Sequence, residues 1–254
     1  MTVSLYREFY KFCHKKVTWI APSIVVVLMV LMGLSAGQSQ PRLMVMTGFG
    51  SSEGILLTLI IVASSIFSME FQNHAILTIL YKAPGKWHVY LAKLIVTFGY
   101  NVALHLLALL VTFGLSWTPI IKPVDWSAVY QHGQPLIINL IATTGVDVLT
   151  SSLIIGFIFL TSCLINSNAV VVTLNIAVVF MGAFISYNFL LQNQRLASVF
   201  RWNPFNMVNL TKQYYNASMV QSTYLNNVQL ILGTIAYSFV LLIVGYLIFR
   251  KKRF

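Results

Sequence analysis

Six long apolar blocks, separated by short polar or basic segments, dominate this chain and leave few folds open to it. Each runs near the roughly 20 residues that an α-helix needs to cross a hydrocarbon core. They are read at 17–36, 54–69, 88–117, 136–166, 169–191 and 228–249. Only 8% of the 254 residues are charged against 58% hydrophobic, and a water-soluble globule of this length would have no place to hide so much apolar surface. The expectation is an all-α polytopic membrane protein with a single transmembrane domain over 1–254.

The residues before the first span, 1–16, alternate aromatic Tyr6, Phe9, Tyr10 and Phe12 with basic Arg7, Lys11, Lys15 and Lys16. On a helix that spacing gives an apolar stripe with a cationic rim, the pattern of a segment lying in the membrane interface. A cleaved signal is the rival, but its apolar core would be shorter than the run from Val17 to Ala36. Between spans four and five only the turn around Asn166, Ser167 and Asn168 remains, which makes those helices antiparallel neighbours.

Lysine and arginine set the orientation. With the N-terminus inside, Arg7, Lys11, Lys15, Lys16, Lys82, Lys86, Lys93, Arg250, Lys251, Lys252 and Arg253 are cytoplasmic, and Arg42, Lys122, Arg195, Arg201 and Lys212 are outside. Both termini are then cytoplasmic, as an even number of spans requires. The net charge of +11 is spread along the flanks of apolar blocks, so anionic membrane lipids suit it better than nucleic acid. Cys13 and Cys163 support neither a disulfide framework nor a zinc site.

The most informative stretch joins spans two and three. Glu70 ends a span, and a short amphipathic helix with Ile76, Leu77, Ile79 and Leu80 follows. A Pro84-Gly85 turn then leads into basic and aromatic residues up to Lys93. A helix pinned between two spans can pass a push to both. This stretch resembles the permease subunits of bacterial type-2 ABC exporters, which carry a glutamate, a coupling helix, a leucine-rich run, a proline turn and a lysine in that order. Glu70, Leu80, Pro84, Lys86 and Lys93 stand at those positions, whereas His74-Ala75 replaces the Gly-Thr often found there.

The resemblance implies a subunit of an ATP-driven exporter in the bacterial cytoplasmic membrane, with Glu70, His74, Leu77, Leu80, Tyr81, Pro84 and Lys86 coupling it to a separate P-loop ATPase. That partner would hold ATP and Mg, and a second permease copy or a homologous permease would complete the conduit. The chain itself has no G-x-x-x-x-G-K-[ST] motif, so no cofactor site and no enzymatic activity are expected in it. Small six-span permeases of this style are similar to those for bacteriocin or lantibiotic immunity and antimicrobial-peptide export. Lipid, glycan or drug export are the alternatives within the family. A stand-alone carrier or channel is the alternative outside it, and an intramembrane hydrolase lacks a paired catalytic set.

Within the spans, Asp147 is the one carboxylate at depth, and His105 reaches a similar depth on span three. Ionisable groups there are costly and face a cavity or a partner. The two are expected to pair, either lining a pathway or fixing the packing of spans three and four; Thr143 and Thr144 are the other candidate partners for the acid. The last outer segment carries Phe200, Trp202, Phe205, Tyr214 and Tyr215. It reads as an interfacial aromatic belt that includes Arg201, Trp202, Pro204 and Phe205; the family resemblance implies instead short outer or re-entrant helices closing an exit, with Asn203-Pro204-Phe205 at the break between them. The five histidines lack metal-ligand spacing.

Overall fold

The computed structural model describes residues 2–192 and 196–252; Arg195 and Arg253 of the charge pattern lie outside them. Fourteen α-helices appear among the described residues, and six long apolar stretches are able to cross a membrane. Helix α1 (Thr2–Cys13) is the amphipathic leader. The first span is α2 (Lys16–Ile20) followed by α3 (Pro22–Ala36), with Pro22 at a first-turn position where its missing N–H costs little. Then come α4 (Pro41–Met46), α5 (Ser51–Gln72), α6 (Ala75–Tyr81), α7 (Lys86–Ser116), α8 (Leu136–Leu164) and α9 (Asn168–Gln192). Four short helices, α10 (Ala197–Phe200), α11 (Pro204–Met207), α12 (Leu210–Tyr215) and α13 (Val220–Thr223), precede α14 (Asn227–Lys251).

Span two starts earlier than its apolar run indicates, because α5 begins at Ser51 and α4 packs in front of it. The joint between them is a left-handed turn with φ of 57° at Gly48, 53° at Phe49 and 67° at Gly50. Glycine adopts this without cost; Phe49 does not. Complete burial of the Phe49 ring against the neighbouring helices holds it there. Gly37 serves a different purpose, since a Cβ there would stand 2.7 Å from the Ile120 carbonyl oxygen.

Helices α5 and α8 form the buried centre. Along α8, Leu153, Ile154, Ile155, Ile158 and Phe159 are fully enclosed, packed against α5 and α14. The outer helices instead present apolar side chains outward, as with Phe184 and Met181 on α9 or Phe239 and Leu232 on α14. In water such surfaces would drive aggregation; against acyl chains they are at home. Interior polar groups join the helices, with Asn101 Nδ2 2.8 Å from Ser151 Oγ and Asn175 Nδ2 2.8 Å from Thr161 Oγ1.

Both ends of the described chain lie at the same end of the bundle. Lys86 at the head of α7 donates to the carbonyls of Arg250 and Lys252 at 3.0 and 2.8 Å, and Lys93 on the same helix meets Glu8 of α1.

Candidate functional site

At the termini end, α1, α5 and α7 meet in a square of charges. Glu8 lies one turn before Lys11 on α1, so both point at the ends of the other two helices. Lys11 Nζ is 2.6 Å from Glu8 Oε1 and 2.6 Å from Glu70 Oε1. Lys93 Nζ, fully buried, is 2.9 Å from Glu8 Oε2 and 2.6 Å from Glu70 Oε2. It donates to Glu8 and to the Ile66 carbonyl, while its contact with Glu70 is an ion pair without hydrogen-bond alignment. Two carboxylates and two ammonium groups cancel. Burial is affordable only on that condition, because a lone charge in this position would pay the full desolvation cost.

The electrostatics of α1 follow from the square. Burial alone would raise the Glu8 carboxyl, but Lys93 and Lys11 outweigh it and hold the group below its ordinary value. Lys11 is held above its ordinary value, since the attraction of Glu70 and Glu8 exceeds the effect of its burial. Burial, and then the nearby ammonium groups of Lys93 and Lys11, push Lys15 down; its Nζ donates to the Ser65 carbonyl at 3.2 Å.

Immediately beyond Glu70, the chain turns at His74 with φ of 54° and enters α6. Ile76 is buried in an aromatic cluster that includes Phe67, Phe71, Tyr90 and Phe249, and Ile79 and Leu80 pack against its edge. The opposite face, with His74, Leu77 and Tyr81, is exposed, Tyr81 by 89%. Pro84 is exposed in the turn that follows. Glu70 and Lys86, grouped with these residues from the sequence, point elsewhere: Glu70 into the charge square and Lys86 to the carbonyls of the C-terminal residues. His74, Leu77 and Tyr81 therefore form an outward face of α6, with Ala75 and Thr78 also exposed beside it.

At the far end, His105 and Asp147 meet. His105 Nε2 is 3.1 Å from Asp147 Oδ2, and its Nδ1 is 2.8 Å from the Asn101 carbonyl. A carbonyl oxygen only accepts, which assigns a hydrogen to Nδ1; the contact at Nε2 then needs one more proton, on the ring or on the acid. Asp147 Oδ1 accepts from Ser52 Oγ at 2.6 Å and Thr211 Oγ1 at 2.9 Å. Thr143 and Thr144 do not serve the acid as the sequence suggested. Their hydroxyls bond back to the carbonyls of Asn139 and Leu140, one turn earlier on α8. The four residues of this network border a cavity of 230 Å³, together with Glu53, Met32, Met44 and Tyr215.

The segment before α14 folds inward. Pro204 opens α11, capped by the Asn203 side chain, which accepts from the Asn206 amide. Phe205 stacks on Phe157 of α8 with centroids 6.0 Å apart and planes 9° from parallel. Trp202 also packs against the central core, and Arg201 Nη1 reaches the Tyr224 carbonyl at 3.4 Å. Trp202 and Phe205 thus pack, half-buried, against the core at the far end of the bundle.

Sequence reasoning missed that Glu8 and Lys11 join Glu70 and Lys93 in one cluster, reading α1 only as an interfacial rim. The signal was present in the i, i+3 spacing of opposite charges on a leader otherwise free of acids. Ser52 and Thr211 left no such trace, being ordinary hydroxyl residues far apart in sequence.

Residues 4–182 match the family described as ABC-2 family transporter protein. That match spans well over half of the chain, from α1 through most of α9, and the chain belongs to this family. No curated protein matches it.

Proposed function

We propose that this family member is the membrane subunit of an ATP-driven exporter, with α6 as the element on which a separate nucleotide-hydrolysing subunit pushes. The observation that carries the reading is the two-sided character of α6: one face is anchored in the bundle by Ile76, and the other presents His74, Leu77 and Tyr81 with nothing over them among the described residues. The helix lies between the ends of α5 and α7, beside the charge square that binds both to α1. A displacement of α6 would reach three elements at once.

In this reading the termini end is cytoplasmic, which places the basic residues on the side that the positive-inside rule favours. The membrane is the bacterial cytoplasmic membrane. ATP and Mg are held by the partner, and a second copy of the chain or a homologous permease completes the path. The cargo is an amphipathic compound, with a bacteriocin or other antimicrobial peptide as the first candidate. The cavity below Glu53, where Asp147 and His105 lie among methionines and hydroxyls, offers the mixed polar and apolar lining that such a cargo needs. The experiment is to purify the tagged chain from its native host. Co-isolation of a P-loop ATPase, and nucleotide-dependent export in vesicles containing both, are expected. Transport by the purified chain alone without nucleotide would overturn the reading in favour of a stand-alone carrier.

A further inference from the structure

Helix α1 crosses α7 near Lys93 and leaves a space on each side. Toward the termini end, a groove of 370 Å³ lies between α1 and the α6–α7 corner, bordered by Arg7, Lys11, Thr78 and Lys82. On the other side, a cleft of 930 Å³ runs down α7 beneath α1, walled by Phe9, Phe12, Trp19, Gly99, Tyr100 and Leu107. Tyr6 borders both. We infer that the two spaces together hold one anionic phospholipid, its headgroup phosphate between Arg7 and Lys82 and an acyl chain in the cleft below.

Charge accounting selects the headgroup. Lys11 is consumed by Glu8 and Glu70, and the charge square is neutral as a unit. Arg7 and Lys82 are both exposed and form no hydrogen bond or ion pair with another described residue, so the groove keeps two uncompensated positive charges. A basic groove at the membrane surface is the setting in which an anionic headgroup is favoured over a zwitterionic one.

The cleft selects a lipid over a soluble partner. It is lined almost wholly by apolar and aromatic side chains, and a Cβ added at Gly99 would meet nothing within 4 Å. Its volume lies within the roughly 300–1,000 Å³ of ordinary ligand pockets. A cytosolic subunit docking on the groove would leave this apolar space unfilled, whereas the tail of a phospholipid reaches it from the same headgroup. Bound in this way, the lipid would join α1 to α6, the two elements on either side of Arg7 and Lys82. The inference does not depend on what the chain transports.

The test is native mass spectrometry of the full-length purified chain with phosphatidylglycerol or phosphatidylcholine of identical acyl chains. One phosphatidylglycerol should be retained in preference to phosphatidylcholine, and Arg7→Gln/Lys82→Gln should reduce that preference roughly thirtyfold, given two headgroup contacts. Arg7→Lys/Lys82→Arg should restore it, which separates loss of the site from loss of folding. Gly99→Trp should weaken retention of both lipids by filling the cleft. Equal retention of the two lipids by the unaltered chain would overturn the proposal. So would displacement by millimolar inorganic phosphate, which would mark a free-anion site, or a Gln pair that loses a copurifying ATPase while lipid preference stays intact.

Discussion

The charge square at the termini end and the Asp147 site at the far end both bury carboxylates among helices, by opposite means. Glu8 and Glu70 are matched by two ammonium groups, so the structure depends on every member being present. Asp147 is surrounded by Ser52, Thr211 and His105, with at most one full charge opposing it and a cavity beside it. A closed ionic cluster suits a mechanical joint, since removing one member strands the others. A carboxylate held by hydroxyls and an imidazole can exchange partners at lower cost, which suits a site that cargo or protons reach. The lesson is that the depth of a charge says less about its role than the kind of groups that balance it.

The sharpest way to break this contrast is to remove one member of each site. Lys93→Met leaves Glu8 and Glu70 sharing Lys11 alone, and should lower stability by about 3–5 kcal/mol, read as the unfolding midpoint in micelles. The double change Glu70→Gln/Lys93→Met should recover much of that loss, because neutral groups replace a stranded charge. Asp147→Asn keeps an oxygen for Ser52 and Thr211 and puts an amide nitrogen in place of the oxygen facing His105. It should cost about 1.5–3 kcal/mol, less than Lys93→Met; the reverse order would contradict the comparison.

Acidity tests the square on a smaller scale. The folded-state pKa of Glu8 is depressed, so its contribution is present above its ordinary value of 4.5 and is lost as pH falls through the lowered value. Lys11 is raised, and its contribution is present below 10.5 and lost as pH rises through the raised value. The lowered Lys15 works against Lys11 on that alkaline side. Attachment of α1, followed by proteolysis of the leader or by Trp19 fluorescence, should therefore be flat near neutrality and fall at the acidic end. Glu8→Gln should weaken attachment at neutral pH and abolish the acidic fall.

The sequence was most legible where one physical demand acted alone. A bilayer requires unbroken apolar helices, so six spans could be read from length and hydropathy, with their ends shifted by a few residues. The turn at Ser167, the short α6 and the break before Pro204 were visible through breakers and caps. Depth along α7 and α8 even brought His105 and Asp147 to the same level. What stayed hidden was pairing between distant elements: no periodicity shows that Ser52 and Thr211 converge on Asp147, or that α1 folds back to Glu70. The aromatics before α14 were not legible as contacts, because Trp and Phe serve an interface and a core equally well, and the stacking of Phe205 on Phe157 could not be read from their spacing.

The smallest structural effect is expected on the exposed face of α6. Leu77 and Tyr81 are exposed, so Leu77→Ala/Tyr81→Ala should change stability by no more than about 0.5 kcal/mol per site. The measurement is nucleotide-driven export in vesicles containing the chain and the proposed ATPase partner, compared between the doubly substituted and the unaltered chain. Export should fall at least about tenfold, a loss of roughly 1.4 kcal/mol in coupling, while unfolding and lipid binding are unchanged. Export at the unaltered rate, with Leu77 and Tyr81 both replaced, would rule out α6 as the element that is pushed.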